Sequence, residues 1–362
     1  MTKALVPATP RREPLSPAAQ GTTMPAEWSE HRATWIAWPH QKSDWPGKFE
    51  PIPWVYGEIV RLLSRHERVC ILVRDAAIRA QARAVLAKVG VHSKRVDFYR
   101  VPTDRSWTRD SGPTFVRRAD GSKLAVHWRF NGWAKYANHK RDAKVAAEIA
   151  KALRLPLHRP FAEGKPVVME GGAIDVDGEG TLLATEECLL SRVQARNPGL
   201  GRAGIEAVFA ATLGVQRVVW LGRGIAGDDT HGHVDDVARF VAPSRVVLCQ
   251  EKNRKDSNYA LLQENRERLQ SARDAAGRKL EVIPLPMPTP MGFAGRRVPA
   301  SYANFYLANG TVLVPTFNDP ADRTALGLLA ELFPEREVVG IHCVDLAWGL
   351  GTLHCATQQE PA

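Results

Sequence analysis

Residues 69–101 read VCILVRDAAIRAQARAVLAKVGVHSKRVDFYRV and contain the local pattern from which the fold class is inferred. The apolar run at 69–73 is typical of a buried strand, and residues 96–101 predict a second strand. Between the two strands, Asp75 is placed to cap a helix and Gly90 to end it. The segment therefore predicts a β-α-β unit.

The same alternation of strand and helix recurs along most of the chain, which predicts an α/β protein. Further strands are expected at 34–38, 124–130, 217–221, 246–249, 280–285, 304–307, 311–314 and 338–341, with helices at 142–153, 205–213, 256–275 and 321–333. Residues 167–169 and 181–184 are expected to form a strand pair. Because no Pro/Ser-rich linker interrupts residues 24–362, we interpret them as a single domain.

Residues 1–23 differ from this domain in composition. They hold four prolines among small and polar residues, at positions 7, 10, 14 and 17. They lack the apolar core of a signal peptide. We therefore expect a disordered N-terminal tail, with the ordered part of the chain starting at Met24.

The composition is that of an ordinary globular protein, since 44% of the 362 residues are hydrophobic and 24% are charged. No stretch approaches the ~18 apolar residues of a membrane-spanning helix, so no membrane partner is expected. The 49 Lys and Arg against 39 Asp and Glu give a net charge of +10. No nucleic-acid-binding motif accompanies this charge, so we expect no nucleic-acid partner. The five widely spaced cysteines, without a CxxC pair, favour a reducing compartment and a cytoplasmic protein.

Five segments in predicted loops carry the residues that could perform chemistry. They are WTRDSGP at 107–113, EGG at 170–172, DDTHGHVDD at 228–236, GLGTLHC at 349–355 and TQQ at 357–359. Asp110, Glu170 and Asp235 belong to three of these segments, and converging carboxylates would bind a planar guanidinium cation through paired N–H groups. Alternatively, these acids are surface turn residues or helix caps, since Asp is favoured in both positions.

His233 and Cys355 are the candidates for proton transfer and nucleophilic attack. Histidine titrates near neutral pH and is the default general acid or base, although it could equally be a structural residue bonded to a neighbouring aspartate. A thiol needs a cationic neighbour to become a good nucleophile, and a bound guanidinium would supply one. The alternative is a buried, inert thiol, which is the interpretation of three cysteines in or beside apolar runs, Cys70, Cys188 and Cys249.

The stretch from His231 to Asp235 also reads HxHxD, which is part of a zinc-ligand signature. In that interpretation His231, His233 and Asp235 would bind the metal of a zinc-dependent hydrolase. The remaining histidines form no complementary ligand motif, and Asp236 stands where such sites usually have a further histidine. Zinc-dependent hydrolysis is therefore the more remote alternative.

The loop segments, in this order and ending in a C-terminal His-Cys, resemble the agmatine deiminase family, also described as the bacterial type of peptidyl-arginine deiminase. MPAEW at 24–28, FNGW at 130–133 and RNP at 196–198 are similar to this family as well, so the resemblance covers residues 24–361. The family belongs to the guanidine-modifying enzymes. The resemblance implies the pentein fold, a five-bladed α/β propeller of ββαβ-type units around a central active site, as one catalytic domain at 24–362.

The resemblance also implies roles for the candidate residues. Cys355 would be the nucleophile, and His233 would be the general acid and base. Asp110 and Asp235 would hold the guanidinium nitrogens, while Glu170 would contact the guanidinium or orient the histidine.

The implied reaction is hydrolytic deimination, in which agmatine and water give N-carbamoylputrescine and ammonia through a covalent amidino-cysteine intermediate. The implied partner is a small cationic guanidinium compound, with Trp107 lining its channel. No metal or organic cofactor is required, and a homo-oligomer is left open. Thr352 stands where the family often has Asn, and His231 where Asn or Asp is common. Because such departures could reshape the pocket, free arginine, peptidyl arginine or another substituted guanidine remains an alternative substrate.

Overall fold

One arrangement of strands and helix recurs five times in the computed structural model, which describes residues 16–91 and 94–362. In each unit, two antiparallel strands are followed by a helix and by a third strand that pairs in parallel with the second. The helix provides the long connection that two parallel neighbouring strands require. The unit is therefore of ββαβ type, and the predicted five-bladed α/β propeller is confirmed.

The five units share the order first strand, second strand, helix and third strand. Their bounds are Thr357–Pro361, His31–Ala37, Ile52–Leu63 and Arg68–Val73; Thr114–Arg117, Lys123–Val126, Asp142–Leu153 and Leu157–His158; Asp175–Val176, Thr181–Thr185, Arg202–Leu213 and Arg217–Leu221; Ala238–Ala242, Arg245–Gln250, Ser257–Ser271 and Glu281–Pro286; and Tyr306–Ala308, Thr311–Thr316, Ala321–Leu332 and Glu337–His342.

The remaining elements lie between these units or extend them. Helix Ala76–Lys88 and strand Val96–Arg100 extend the first sheet, which confirms the predicted β-α-β unit. The side chain of Asp75 caps this helix by accepting a hydrogen bond from the amide of Ile78. The others are Ala18–Gln20, Lys42–Asp44, Phe161–Ala162, Lys165–Pro166, Glu186–Leu190, Gly292–Phe293, Arg296–Arg297 and Leu346–Gly349.

The last strand of the chain closes the propeller. Thr357–Pro361 runs antiparallel to His31–Ala37 and supplies the first strand of the first unit. All five of its residues are buried although every one of them is polar or proline, and the indole of Trp35 donates to Glu360 at 3.0 Å. Sequence patterning did not predict this strand because its residues lack the apolar pattern of a buried strand.

A helical turn of three or four residues precedes the first strand of every unit. We call these five turns the central turns, and they are Thr108–Ser111, Gly171–Ala173, Val234–Asp236, Tyr302–Asn304 and Leu353–Ala356. Each central turn contacts the next one, and the last contacts the first. The fold therefore brings five segments that are distant in the sequence into one closed ring.

Of the predicted strand pair at 167–169 and 181–184, the second strand is confirmed and the first is wrong. Thr181–Thr185 is a strand, but its antiparallel partner is Asp175–Val176. The side chain of Asn197 instead satisfies the backbone of Val168, donating to its carbonyl and accepting from its amide at 2.8 Å each. A side-chain amide thus takes the place that a neighbouring strand would have.

The predicted tail at residues 1–23 falls partly outside the described residues, which begin at 16. Residues 16–23 pack against the domain, because Thr23 and Arg117 exchange backbone hydrogen bonds at 2.9 Å and Thr22 is buried. The packed part of the chain therefore begins before Met24, and for residues 16–23 the prediction of disorder is wrong.

Two further expectations concern the cellular environment. Among the residues that the structure describes, no helix combines the length and the apolar character needed to cross a membrane. All five cysteines have free thiols and are buried. The reducing compartment stays a prediction.

Helix Asp142–Leu153 shows how apolar spacing determines burial. Val145 and Ile149 lie one turn apart and are fully buried, packed in a cluster with Trp35 and Phe115. Residues four apart share one helix face, so this helix presents a single apolar stripe to the sheet.

We expect Ile149→Ala to lower the free energy of unfolding by about 2–5 kcal/mol, since it leaves a cavity in this cluster. Lys151→Ala, at an exposed position of the same helix, is the control and should change it by less than about 0.5 kcal/mol. Urea denaturation followed by circular dichroism measures both. Equal effects of the two substitutions would show that Ile149 does not stabilise the core.

Candidate active site

Two of the five central turns contribute to the lining of a cavity of about 140 Å³. Trp107, Asp110 and Cys355 contribute to its lining, together with Trp133 and Thr230. Asp110 lies on the first central turn and Cys355 on the last, and these two turns contact each other. Residues predicted from separate sequence segments are therefore neighbours because the ring is closed.

The thiol of Cys355 is buried and faces carboxylates. Its Sγ lies 3.7 Å from Oδ2 of Asp235 and 3.2 Å from the side-chain nitrogen of Asn304. Burial raises the pKa of Cys355 well above its usual range, and the negative charges of Asp235, Asp236 and Asp110 raise it further. This raised pKa favours the neutral thiol of Cys355.

The ring of His233 is fully buried between three carboxylates. Its Nε2 lies 3.6 Å from Glu170, and its Nδ1 lies 3.9 Å from Asp110 and 4.0 Å from Asp235. Burial acts to lower the pKa of His233, but the charge of Asp110 and the remaining acceptors outweigh it and hold the pKa well above its ordinary value. The raised pKa favours the protonated form of His233.

Glu170 is paired with the guanidinium of Arg196 inside the protein. The Nε of Arg196 lies 3.1 Å from one carboxylate oxygen and 3.2 Å from the other, and neither side chain is exposed. Burial acts to raise the pKa of Glu170, but the charges of Arg196 and His233 outweigh it and lower the pKa. Glu170 is thus an ionised residue that can orient His233.

Asp110 and Asp235 have different surroundings although both are buried. Asp110 accepts hydrogen bonds from the indole of Trp133 at 2.8 Å and from the amide of Gly172 at 3.0 Å, and burial raises its pKa. Burial also acts to raise the pKa of Asp235, but the hydrogen bond and charge of His354 outweigh it and lower the pKa. In the free protein, Asp235 is the more readily ionised of the two.

The position of Gly172, in the EGG segment, has no room for a side chain. A Cβ atom at this position would lie 2.6 Å from Nδ1 of His233 and 3.0 Å from oxygens of Asp110 and Asp235. The backbone of Gly172 therefore approaches all three side chains more closely than any other residue could.

Trp107 forms part of the cavity wall, where the resemblance implies it. It is almost fully buried, and its ring centroid lies 5.5 Å from that of Trp45. A Cβ atom at Gly351 would lie 3.0 Å from the Trp107 ring and 3.1 Å from Cβ of Cys355. Glycine at position 351 thus lets the backbone pass between Cys355 and the ring of Trp107.

Asn304 is a site residue that the sequence patterns did not predict. Its Nδ2 donates to Cys355 Sγ and, at 3.1 Å, to Oδ1 of Asp236. Its Oδ1 accepts from the hydroxyl of Thr352 at 2.8 Å and from the amides of His354 and Cys355 at 3.0 and 3.3 Å. Because backbone amides only donate, these contacts fix the orientation of the side chain. Asn304 lies in a stretch predicted as an ordinary strand, so no local signal marked it.

The predicted zinc ligands are not brought together. The ring of His231 points to Ser191, with Nε2 3.2 Å from its hydroxyl. In the described part of the chain, the ligand atoms that lie within 4.8 Å of one another belong to Glu170, Cys188 and His233. The His231, His233 and Asp235 set is therefore wrong, and Cys188, interpreted as a residue of the apolar core, lies beside the catalytic histidine candidate.

The closed ring of ββαβ units around a central cavity is the pentein fold. The same fold is found in an amidinotransferase of Microseira wollei, which is 12% identical and has a TM-score of 0.52 over 94% of this chain and 96% of that one. The chain belongs to the Porphyromonas-type peptidyl-arginine deiminase family, whose model matches residues 23–361.

Three agmatine deiminases, each from a different organism, match this chain over nearly its full length. Agmatine deiminase of Pseudomonas fluorescens strain Pf-5 is 38% identical over 370 residues, covering 96% of this chain and 97% of that protein. Agmatine deiminase of Stutzerimonas stutzeri is 36% identical over the same shares of the two chains. The structure of the Enterococcus faecalis agmatine deiminase has a TM-score of 0.89 and 32% identity, covering 96% of this chain and 98% of that one.

The raised pKa of Cys355 is directly measurable. We expect the ultraviolet absorbance of its thiolate, taken as wild type minus Cys355→Ser, to be absent at about pH 7 and to appear only above the usual thiol pKa of about 8.5. The sign follows because burial and nearby carboxylates both disfavour the thiolate. A thiolate signal already present at neutral pH in the free protein would contradict the raised pKa of Cys355.

Proposed function

We propose that this protein hydrolyses a guanidinium substrate, with agmatine and water giving N-carbamoylputrescine and ammonia. The observation that carries the proposal is one buried cluster of Cys355, His233 and the carboxylates of Asp110 and Asp235, in which Asp110 and Cys355 line a cavity. The full-length similarity to proteins named agmatine deiminase supports the choice of substrate.

The cavity is suited to a planar cation. A guanidinium has N–H groups on several edges, and a carboxylate can accept two of them side by side. Asp110 and Asp235 would take these N–H groups and hold the guanidinium carbon against the sulfur of Cys355. The positive charge of the substrate would also lower the pKa of the thiol, which is otherwise kept neutral by its surroundings.

The first half of the reaction forms a covalent intermediate. The bound cation lowers the pKa of Cys355, whose proton passes to solvent, and the resulting thiolate attacks the guanidinium carbon to form a carbon–sulfur bond. His233 donates its proton to the departing nitrogen, so the carbon–nitrogen bond breaks and ammonia leaves. An amidino group remains on the sulfur. Glu170 keeps the histidine oriented throughout.

The second half returns the enzyme to its starting state. The now neutral His233 takes a proton from water, and the resulting hydroxide adds to the same carbon. The carbon–sulfur bond then breaks, the hydroxyl proton of the intermediate passes to the sulfur, and the ureido product leaves with the neutral thiol of Cys355 restored. His233 ends with the proton it had at the start, so the cycle consumes one water and releases one ammonia together with the proton that Cys355 gave to solvent, which is one ammonium ion in sum.

Charged groups at the outer end of the cavity affect which guanidinium compound it can bind. Asp229 and Asp44 line this end, where the carboxylate of Asp229 is bonded to Lys135 and Tyr136. Acidic groups here would attract the free amine of agmatine. Arg296, which also lines the cavity, favours the alternative that the substrate is free arginine, since it could bind an α-carboxylate.

The proposal also covers the metabolic role of the product and the location of the enzyme in the cell. N-carbamoylputrescine is the ureido derivative of putrescine, which places the reaction in polyamine formation. Five free thiols are stable under reducing conditions, so we place the enzyme in the cytoplasm.

The substrate assignment is tested by incubating the purified protein with agmatine, arginine and a blocked arginine peptide. We expect ammonia and the ureido product to appear from agmatine at the highest kcat/KM. A preference for arginine would keep the chemistry and transfer the assignment to the alternative substrate. Absence of product from all three, with an intact fold by circular dichroism, would refute deimination of these guanidines.

Cys355→Ser tests the covalent mechanism. We expect kcat to fall at least about a thousandfold, because the serine hydroxyl is a much weaker nucleophile. Mass spectrometry of acid-quenched wild-type enzyme should detect the amidino adduct on the peptide that contains Cys355, and the variant should lack it. Retention of full activity by the variant would exclude Cys355 as the nucleophile.

A further inference from the structure

Two sequence features have no role in the reaction described so far. Glu27 belongs to the MPAEW segment at 24–28, and His354 directly precedes the nucleophile. In the structure these residues, from opposite ends of the chain, contact each other beneath the cavity. Their contact continues to Asp235, which is proposed to bind the substrate.

The imidazole of His354 lies between two carboxylates. Its Nδ1 is 2.7 Å from Oδ2 of Asp235, and its Nε2 is 2.8 Å from Oε2 of Glu27. All three side chains are buried. An ionised carboxylate can only accept a hydrogen bond, so the ring must donate from both nitrogens to satisfy both partners.

Glu27 is itself held from several directions. Its Oε1 lies 2.9 Å from Nη2 of Arg239 in an ion pair, and it accepts a hydrogen bond from the amide of Leu307 at 2.9 Å. Its Oε2 accepts from Arg109 at 3.2 Å as well as from His354. The carboxylate of Glu27 is therefore a fixed anchor for the histidine ring.

The histidine leaves one oxygen of Asp235 free. While Oδ2 is bonded to His354, the buried Oδ1 has no hydrogen-bond partner among residues 16–91 and 94–362, and it lies 4.0 Å from Nδ1 of His233. An unsatisfied buried carboxylate oxygen is costly unless a donor arrives. A guanidinium N–H in the cavity is such a donor.

We infer that His354 is a positioning residue, which together with Glu27 fixes the rotamer of Asp235 so that Oδ1 faces the bound guanidinium. The inference rests on the proposed function, because it gives Asp235 a cationic substrate to bind. The pKa contrast between the two substrate carboxylates supports it, since Asp235 has a lowered pKa through its hydrogen bond to His354, whereas Asp110, which is hydrogen-bonded to the neutral donors of Trp133 and Gly172, has a raised one.

The two ring nitrogens can be tested separately with a matched pair of variants. In His354→Asn the amide nitrogen occupies the place of Nδ1 and can still donate to Asp235. In His354→Gln the amide reaches the place of Nε2 and can donate only to Glu27. The backbone contacts of His354 with Asn304 and Arg109 remain in both variants.

We expect His354→Asn to keep KM for agmatine within about threefold of wild type and His354→Gln to raise it at least about tenfold, the effect of a lost charge-assisted hydrogen bond. Thermal unfolding of both variants reports whether they are folded. If His354→Gln fails to fold, His354→Leu, which has no donor for either carboxylate, takes its place with the same expectation. Equal KM values for the Asn and Gln variants would overturn the inference.

A double-mutant cycle separates positioning from general damage. If His354 acts through Asp235, adding His354→Gln to Asp235→Asn should change kcat/KM by less than about twofold, because the interaction is already lost. Additive losses would mean that the histidine supports the fold only and would overturn the inference.

The substrate assignment does not affect this test. If the wild-type enzyme prefers arginine, agmatine is excluded as the preferred substrate. The same His354 variants are then compared with arginine as the substrate, so the role of His354 is still measured. If wild type turns over no guanidine, isothermal titration of guanidinium chloride into wild type and both His354 variants gives the comparison. Equal affinities of the two variants would again overturn the inference.

Discussion

The structure depends on keeping several carboxylates ionised in the interior, where an unpaired charge is expensive. Arg196 is paired with Glu170, Arg239 with Glu27 and His354 with Asp235. The last two pairs join different parts of the propeller, so the same contacts that stabilise the charges also hold the ring together. Asp110 differs, because its hydrogen bonds come from the neutral donors of Trp133 and Gly172.

The carboxylates of Asp110 and Asp235 link substrate binding to nucleophile activation in the proposed reaction. The carboxylates that would bind a guanidinium also keep Cys355 in its neutral form. A bound cation would relieve both effects at once, since it would satisfy Asp110 and Asp235 and stabilise the thiolate. An enzyme arranged in this way would have a reactive sulfur only in the presence of its substrate.

Local sequence patterns predicted most helices and strands because burial alternates with a regular period there, as in Asp142–Leu153. They failed where side chains replace backbone partners, as Asn197 does for Val168, and where a strand is buried but polar, as in Thr357–Pro361. The six predicted site residues were recognisable because glycine, acid and histidine cluster in the loops around them. Asn304 was not, since its role arises only from its distance to Cys355 and Asp236.

The amino-acid sequence by itself determined the α/β class, the candidates for the chemically active side chains and, through the order of its motifs, the resemblance to a family of guanidine-modifying enzymes. Only the tertiary structure decided which side chains share the cavity, that His231 is directed to Ser191 and that Glu27 reaches His354. The physical reason is that periodicity and composition report the environment of each segment separately. The distances between charges depend instead on the closure of the ring, in which the last strand of the chain pairs with the first.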